Sequence, residues 1–186
     1  KGTTANAGPD DEICQANIYT ITDASAANYT SLNWTSSGQG TLVNSNSLTP
    51  TYYPLPDESG VIVFTLNATG IGSCGSASDD KLLTITKAVQ LNAGPDAEIC
   101  EGNTYFLADA SVSNVSSLQW SSSGTGTFDD PAAINPVYSP SQADINVGEI
   151  ILTLNANGNG SCPSENDQML LTITSMPEAF AGNDAS

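Results

Sequence analysis

The sequence predicts an all-β chain built as two tandem β-sandwich repeats, and three observations lead there. Residues Ala7-Gly8-Pro9-Asp10-Asp11-Glu12-Ile13-Cys14 return as Ala93-Gly94-Pro95-Asp96-Ala97-Glu98-Ile99-Cys100, and self-similarity at a fixed period is the signature of a repeat architecture. Apolar and polar residues alternate in short runs between clusters of Gly, Pro, Asn and Ser, the pattern of half-buried strands. No window carries an apolar stripe of helical period over helical length.

The repeat can be followed residue by residue. An offset of 86 carries Asp10, Cys14, Asp23, Trp34, Gly38, Gly40 and Tyr52 onto Asp96, Cys100, Asp109, Trp120, Gly124, Gly126 and Tyr138. After a two-residue insertion between Pro54 and Gly60 the offset becomes 88, taking Leu66, Cys74, Asp79 and Leu83 onto Leu154, Cys162, Asp167 and Leu171. An insertion tolerated there marks a surface loop. The repeats are expected over residues 5–90 and 91–178. Ala181-Gly182-Asn183-Asp184-Ala185 restates the opening words, so 179–186 is expected to begin a third copy and the chain to be a fragment of a longer array.

The first strand is expected at Asn17–Thr22, where Tyr19 and Ile21 alternate on one face and recur as Tyr105 and Leu107. Ser31–Thr35 follows, with Leu32 and Trp34 on one face and Leu118 and Trp120 as their counterparts. A tryptophan at one fixed place in each repeat reads as a core plug. Ser37-Gly38-Gln39-Gly40-Thr41 and its copy Ser123-Gly124-Thr125-Gly126-Thr127 read as tight turns, since neither a helix nor a lysine follows to make a phosphate cradle. Pro50-Thr51-Tyr52, bracketed by prolines, suits an edge strand. In Val61–Leu66 the residues Ile62, Phe64 and Leu66 should point inward, because Ile150, Leu152 and Leu154 stay apolar while Val61 becomes Glu149. Leu82–Thr86 is the last strand. About seven short strands and a core tryptophan per repeat suggest Ig-like (PKD-like) sandwiches.

Repeats this short bury only about 60 to 65% of their unfolded surface, so covalent bracing is expected. Of the three pairings four cysteines allow, only Cys14–Cys74 with Cys100–Cys162 treats both repeats alike. Each such intra-repeat disulfide would close a loop worth roughly 4 kcal/mol in chain entropy. The cysteines sit outside the strong strands, so the bridge should pin the opening segment of a repeat to its Gly/Ser loop. A zinc site is disfavoured, because the chain has no Cys-x-x-Cys and no histidine.

Three lysines, no arginine and twenty carboxylates leave a net charge of −17, a surface that repels nucleic acid and anionic lipid. No apolar run approaches a membrane span, and no signal peptide is present. Without histidine there is no Ser-His or Cys-His pair, and without arginine no phosphate clamp, so the chain is not expected to be an enzyme. A side-chain cross-link from Lys81 to an Asp or Asn is disfavoured because its counterpart is Met169. Asp10, Glu12 and Asp79 recur as Asp96, Glu98 and Asp167. Two readings of these acids stay open: loop ligands for Ca²⁺, which takes 6 to 8 oxygens in loose geometry, or turn and solubilising residues. No cofactor other than Ca²⁺ is expected.

Taken together, Ala-Gly-Pro-Asp-x-Glu-Ile-Cys, Trp-x-Ser-Ser-Gly-x-Gly-Thr, Asn-Pro-x-Tyr-x-Pro-Ser and Leu-Thr-Leu-x-Ala-x-Gly-x-Gly-x-Cys resemble tandem repeats of giant Bacteroidetes surface adhesins of the gliding-motility type, exported by type IX secretion. The second repeat carries these words nearly whole at Trp120–Thr127, Asn135–Ser141 and Leu152–Cys162, while the first departs at Thr49–Leu55 and at Ile71. The resemblance implies an extracellular, cell-surface filament whose partners are neighbouring repeats and an external surface or polysaccharide. It supplies no binding residues. A carbohydrate-binding or spacer module is the alternative, and it would want exposed aromatics where Trp34 and Trp120 read as buried.

Overall fold

The computed structural model of the chain describes residues 1–177, which fall into two compact units. The first comprises Lys1–Ala88 together with Asn159–Pro163, and the second Val89–Gly158 with the chain from Ser164 onward. The opening of a third repeat at 179–186 lies outside the described residues.

In the first unit the strands are β1 (Thr4–Asn6), β2 (Asp11–Cys14), β3 (Tyr19–Thr20), β4 (Ser25–Ala27), β5 (Tyr29–Ser36), β6 (Thr41–Val43), β7 (Thr51–Tyr53), β8 (Gly60–Gly70) and β9 (Ala77–Thr86). One sheet runs β2-β9-β8-β5 and the other β3-β7-β6, with β1 and β4 as a separate pair. The alternation read from the sequence places the core between them. Ile62, Phe64 and Leu66 of β8 are buried while Val61 is exposed, and Trp34 is only 2% exposed. The Trp34 indole N–H donates to the Ser47 carbonyl at 3.0 Å, which satisfies its one polar atom inside the core.

The second unit repeats the plan with β10 (Gln90–Asn92), β11 (Ala97–Cys100), β12 (Tyr105–Phe106), β13 (Ser111–Ser113), β14 (Val115–Ser122), β15 (Thr127–Phe128), β16 (Val137–Ser139), α1 (Gln142–Val147), β17 (Glu149–Gly158) and β18 (Glu165–Thr174). Its sheets are β11-β18-β17-β14 and β12-β16-β15. Trp120, Ile150, Leu152, Leu154 and Leu171 fill the core.

Two local expectations are corrected. The proline-flanked segment is the central strand β7, paired with β3 on one side and β6 on the other. Pro50 and Pro54 lie outside the ladder, so neither removes a donor the pairing needs. The second correction is α1, about a turn and a half of helix in the loop that the two-residue insertion lengthens. Ser141 caps it, accepting from the Asp144 N–H at 3.2 Å while the Asp144 carboxylate accepts from the Ser141 N–H at 3.0 Å, a reciprocal capping box. Gly148 ends the helix in the left-handed region at φ +82°.

The strand pairing also overturns the expected disulfides. β2 runs parallel to β9 in the register Asp11↔Leu83 to Cys14↔Thr86. Cys14 therefore lies beside the last residue of β9, whereas Cys74 precedes its first residue. A ten-residue strand spans ~33 Å, and bridged cysteines need Cα atoms within about 7 Å. Cys14–Cys74 cannot form in this topology, and the parallel pairing of β11 with β18 sets the same limit on Cys100–Cys162.

Candidate functional site

The bond that forms is Cys14–Cys162, with Cα atoms 4.7 Å apart, while Cys74 and Cys100 are free and exposed. The pairing of each repeat with itself is thus replaced by one bridge from the opening strand of the first repeat to the glycine loop of the second. That loop, Asn159–Pro163, belongs to the first compact unit. With a sequence separation of 148 between its ends, the cross-link closes a loop worth about 5 kcal/mol in the chain-entropy account.

The surroundings of the bridge are specific. The Gln15 N–H donates to the Thr86 carbonyl at 2.8 Å and the Asn17 N–H to the Cys14 carbonyl at 3.2 Å, turning the chain away just past β2. On the loop side the Cys162 N–H donates to the Asn159 carbonyl at 3.0 Å. Glu12 accepts from the Thr86 hydroxyl and from the Ser161 N–H. Gly160, at φ +52°, lies so close that a Cβ there would fall 1.7 Å from the Glu12 carboxylate, so a larger residue would have to push Glu12 aside.

Four of the other acids singled out from the sequence serve the backbone. Asp10 and Asp96 accept from the N–H groups of Leu82 and Leu170, at 2.9 and 2.8 Å. Asp79 and Asp167 accept from those of Ala7 and Ala93, both at 2.8 Å. They staple the opening segment of each repeat along its final strand. Glu98 stands exposed on β11. Among the described residues no group of three or more His, Cys, Asp or Glu side chains converges to hold a metal ion.

Two constellations escaped the sequence reading. Under each Gly-x-Gly turn sits a carboxylate. In the first unit Glu58 accepts from the Gln39 N–H at 2.7 Å, the Leu55 N–H at 3.0 Å and the Tyr52 hydroxyl at 2.8 Å. In the second, Asp144 accepts from the N–H groups of Thr125 and Gly126 and from the Tyr138 hydroxyl, all at 2.8 Å. The anion cradle is filled by the protein's own carboxylate. A Cβ on Gly124 would meet that carboxylate at 2.2 Å, which is why the turn needs glycine. Burial alone would raise both carboxyls; the donors outweigh it, and each lies below its ordinary value. Burial, with Asp144 beside it, pushes Tyr138 up to about 12.

The second constellation is Lys81, fully buried, whose ammonium donates to the Pro9 carbonyl and sits 3.2 Å from Asp23 and 5.7 Å from the centre of the Tyr19 ring. Burial opposes its charge, yet Tyr19 and Asp23 prevail and its pKa is raised. Recurrence of Tyr52 as Tyr138 was a signal for the first constellation. For Lys81 the loss of its counterpart to Met169 pointed the other way.

Among the described residues no helix is long and apolar enough to cross a membrane. No protein-family model and no curated protein matches the sequence. Solved structures similar in fold include Sidekick-1 immunoglobulin domains 1–4 (TM-score 0.55, 15% identity, 94% of this chain and 50% of that one). Drosophila OTK extracellular domains 3–5 match with TM-score 0.57 at 14% identity over 94% and 62%. Drosophila N-cadherin EC1-4 gives 0.54 at 15% over 95% and 50%. The chain thus spans about half to two thirds of these structures, and at such identities the likeness is one of fold: tandem Ig-like β-sandwich modules.

Proposed function

We propose that the chain is a structural and adhesive stretch of a long extracellular filament on a bacterial cell surface, built from many such repeats. The observation that carries this reading is the Cys14–Cys162 bridge between consecutive repeats of one sequence plan. Tension applied to the chain ends would pass through residues 1–14, the sulfurs and residues 162–186, bypassing everything between. Full extension would then involve about 40 residues, on the order of 140 Å, against on the order of 670 Å for a reduced chain. A protein that must carry load outside the cell gains from that short circuit, and an oxidising compartment is where such bonds persist. The net charge of −17 keeps a dense array soluble. The sequence resemblance to gliding-motility adhesins exported by type IX secretion supplies the finer reading, attachment to surfaces during gliding. Burial of both tryptophans speaks against the carbohydrate-binding alternative.

The test is an antiserum raised against this chain and applied to intact cells of the organism that encodes it. Surface labelling that protease removes, together with loss of attachment to glass in its presence, is the expected result. Labelling seen only after permeabilisation would overturn the reading.

A further inference from the structure

Cys100 is the repeat counterpart of Cys14, and Cys74 that of Cys162; the counterparts are bonded to each other, while Cys74 and Cys100 are both exposed thiols. Each free cysteine already stands in the bonded geometry. The Glu101 N–H donates to the Thr174 carbonyl at 2.8 Å and the Asn103 N–H to the Cys100 carbonyl at 3.2 Å, reproducing the two bonds that flank Cys14. Cys100 pairs with Thr174 in the same parallel register that sets Cys14 against Thr86. On the other half, the Cys74 N–H donates to the Ile71 carbonyl at 3.0 Å as the Cys162 N–H does to that of Asn159. Gly72 holds φ +61° where Gly160 holds +52°. What the free halves lack is the partner: Gly160 is pressed against Glu12, whereas nothing lies within 4 Å of a Cβ placed on Gly72, and the Thr174 hydroxyl turns to the Ile99 carbonyl where that of Thr86 donates to Glu12.

The geometry points to Cys100 and Cys74 as the two open halves of the same cross-link, each made for a further copy of this repeat joined head to tail. Cys100 receives the glycine loop of the copy that follows, with Glu98 in the role of Glu12. Cys74 enters the opening strand of the copy that precedes. Every internal repeat would then carry two bridges, one to each neighbour, and the array becomes a covalent ladder. Formation needs a disulfide oxidant such as oxidised glutathione. The Cys100 thiolate attacks it and releases one glutathione thiolate; the Cys74 thiolate of the next copy then attacks the Cys100 sulfur and displaces the second. Two thiols lose two electrons and two protons, and one glutathione disulfide becomes two glutathiones.

This inference rests on reading the chain as part of a tandem array, but its test is chemical and needs no cell. Cys74→Ser keeps only Cys100 free, and Cys100→Ser keeps only Cys74. In an oxidised glutathione buffer each variant alone should stay monomeric, while the two mixed should give a single heterodimer whose peptic map joins Cys100 to Cys74, at least tenfold above either homodimer. Gly72→Val in the Cys100→Ser partner should cut that yield about tenfold with the reactivity of Cys74 toward a small thiol reagent unchanged, since the added side chain would meet Glu98. Homodimers as abundant as the heterodimer, no dimer in the mixture, or a yield indifferent to Gly72→Val would overturn the proposal. Failed pairing would leave surface labelling untouched, and failed labelling would leave the pairing untouched, so the two readings fall separately.

Discussion

The two units share one plan and differ most beneath the Gly-x-Gly turn and at one core position. Glu58 reaches its turn from a loop, half-buried, whereas Asp144 reaches the equivalent turn from α1 and is 1% exposed. The side chain is shorter by one methylene, and the two-residue insertion with its capped helix moves the backbone in to compensate. What is held constant is a carboxylate at a point in space, and neither the residue nor the element that delivers it. The core position tells a related story. Lys81 draws Asp23 over Gly8, where an added Cβ would meet the carboxylate at 2.6 Å. Met169 exerts no such pull, and the nearest atom of Asp109 would lie 3.5 Å from a Cβ on Gly94.

Removing what the units share should have the largest effect. Trp34→Ala and Trp120→Ala are expected to cost about 3 to 5 kcal/mol each, as loss of a large buried aromatic does. By NMR the lost dispersion should stay mainly in the mutated unit. Equal damage to both units from one substitution would end the picture of two separate cores.

The acids should separate the units next. Asp144→Ala takes the acceptor away from two turn N–H groups, a buried tyrosine hydroxyl and the N–H of the helix cap, and is expected to cost about 3 kcal/mol; Glu58→Ala, closer to water, about 1 to 2 kcal/mol. Chemical denaturation of the two variants compares them directly. The sign with pH follows from their lowered values: both contributions are complete above the unfolded carboxylate pKa of about 4 and disappear as pH falls through the folded one. Asp144→Ala should therefore flatten the acid limb of the stability curve. An acid limb identical to wild type would show that another carboxylate governs it.

The smallest effect should come from giving one unit the other's solution. Lys81→Met replaces a buried cation by the residue the second unit uses, and exposed Asp23 can return to water. The net change is expected to stay within about 1 kcal/mol. Lys81 has a raised pKa, so its contribution is complete below its unfolded value of 10.5 and is lost as pH rises through the folded one. The variant should lose less stability in alkali than wild type. A penalty beyond about 3 kcal/mol would mean that the lysine is structurally required and Met169 compensated elsewhere.

Much of the fold could be read from residue order alone. Strict alternation in Val61–Leu66, with Val61 replaced by Glu149, assigned the inner face correctly, and one tryptophan per repeat identified the core. The disulfides could not be read in the same way. Equivalence of the repeats says which cysteines correspond, but not whether a bridge stays within one repeat or passes to the next. That choice is made by the parallel pairing of β2 with β9, a long-range register with no local signature. The same blindness applied to β7, whose central place depends on partners on both sides, and to Glu58 and Asp144, which correspond at the offset of 86 but are different acids in the loop where the repeat slips. Local patterns report which face of a strand is buried; they carry little about which strand lies beside it.

The cross-link between repeats is most directly tested by peptide mapping of the unreduced chain, digested at low pH to prevent exchange. For the monomer the account predicts one linked pair, the peptide of Cys14 with that of Cys162, and unmodified thiols at Cys74 and Cys100. A Cys14–Cys74 or Cys100–Cys162 peptide would contradict the parallel pairing of β2 with β9 and, with it, the bridge that joins one repeat to the next.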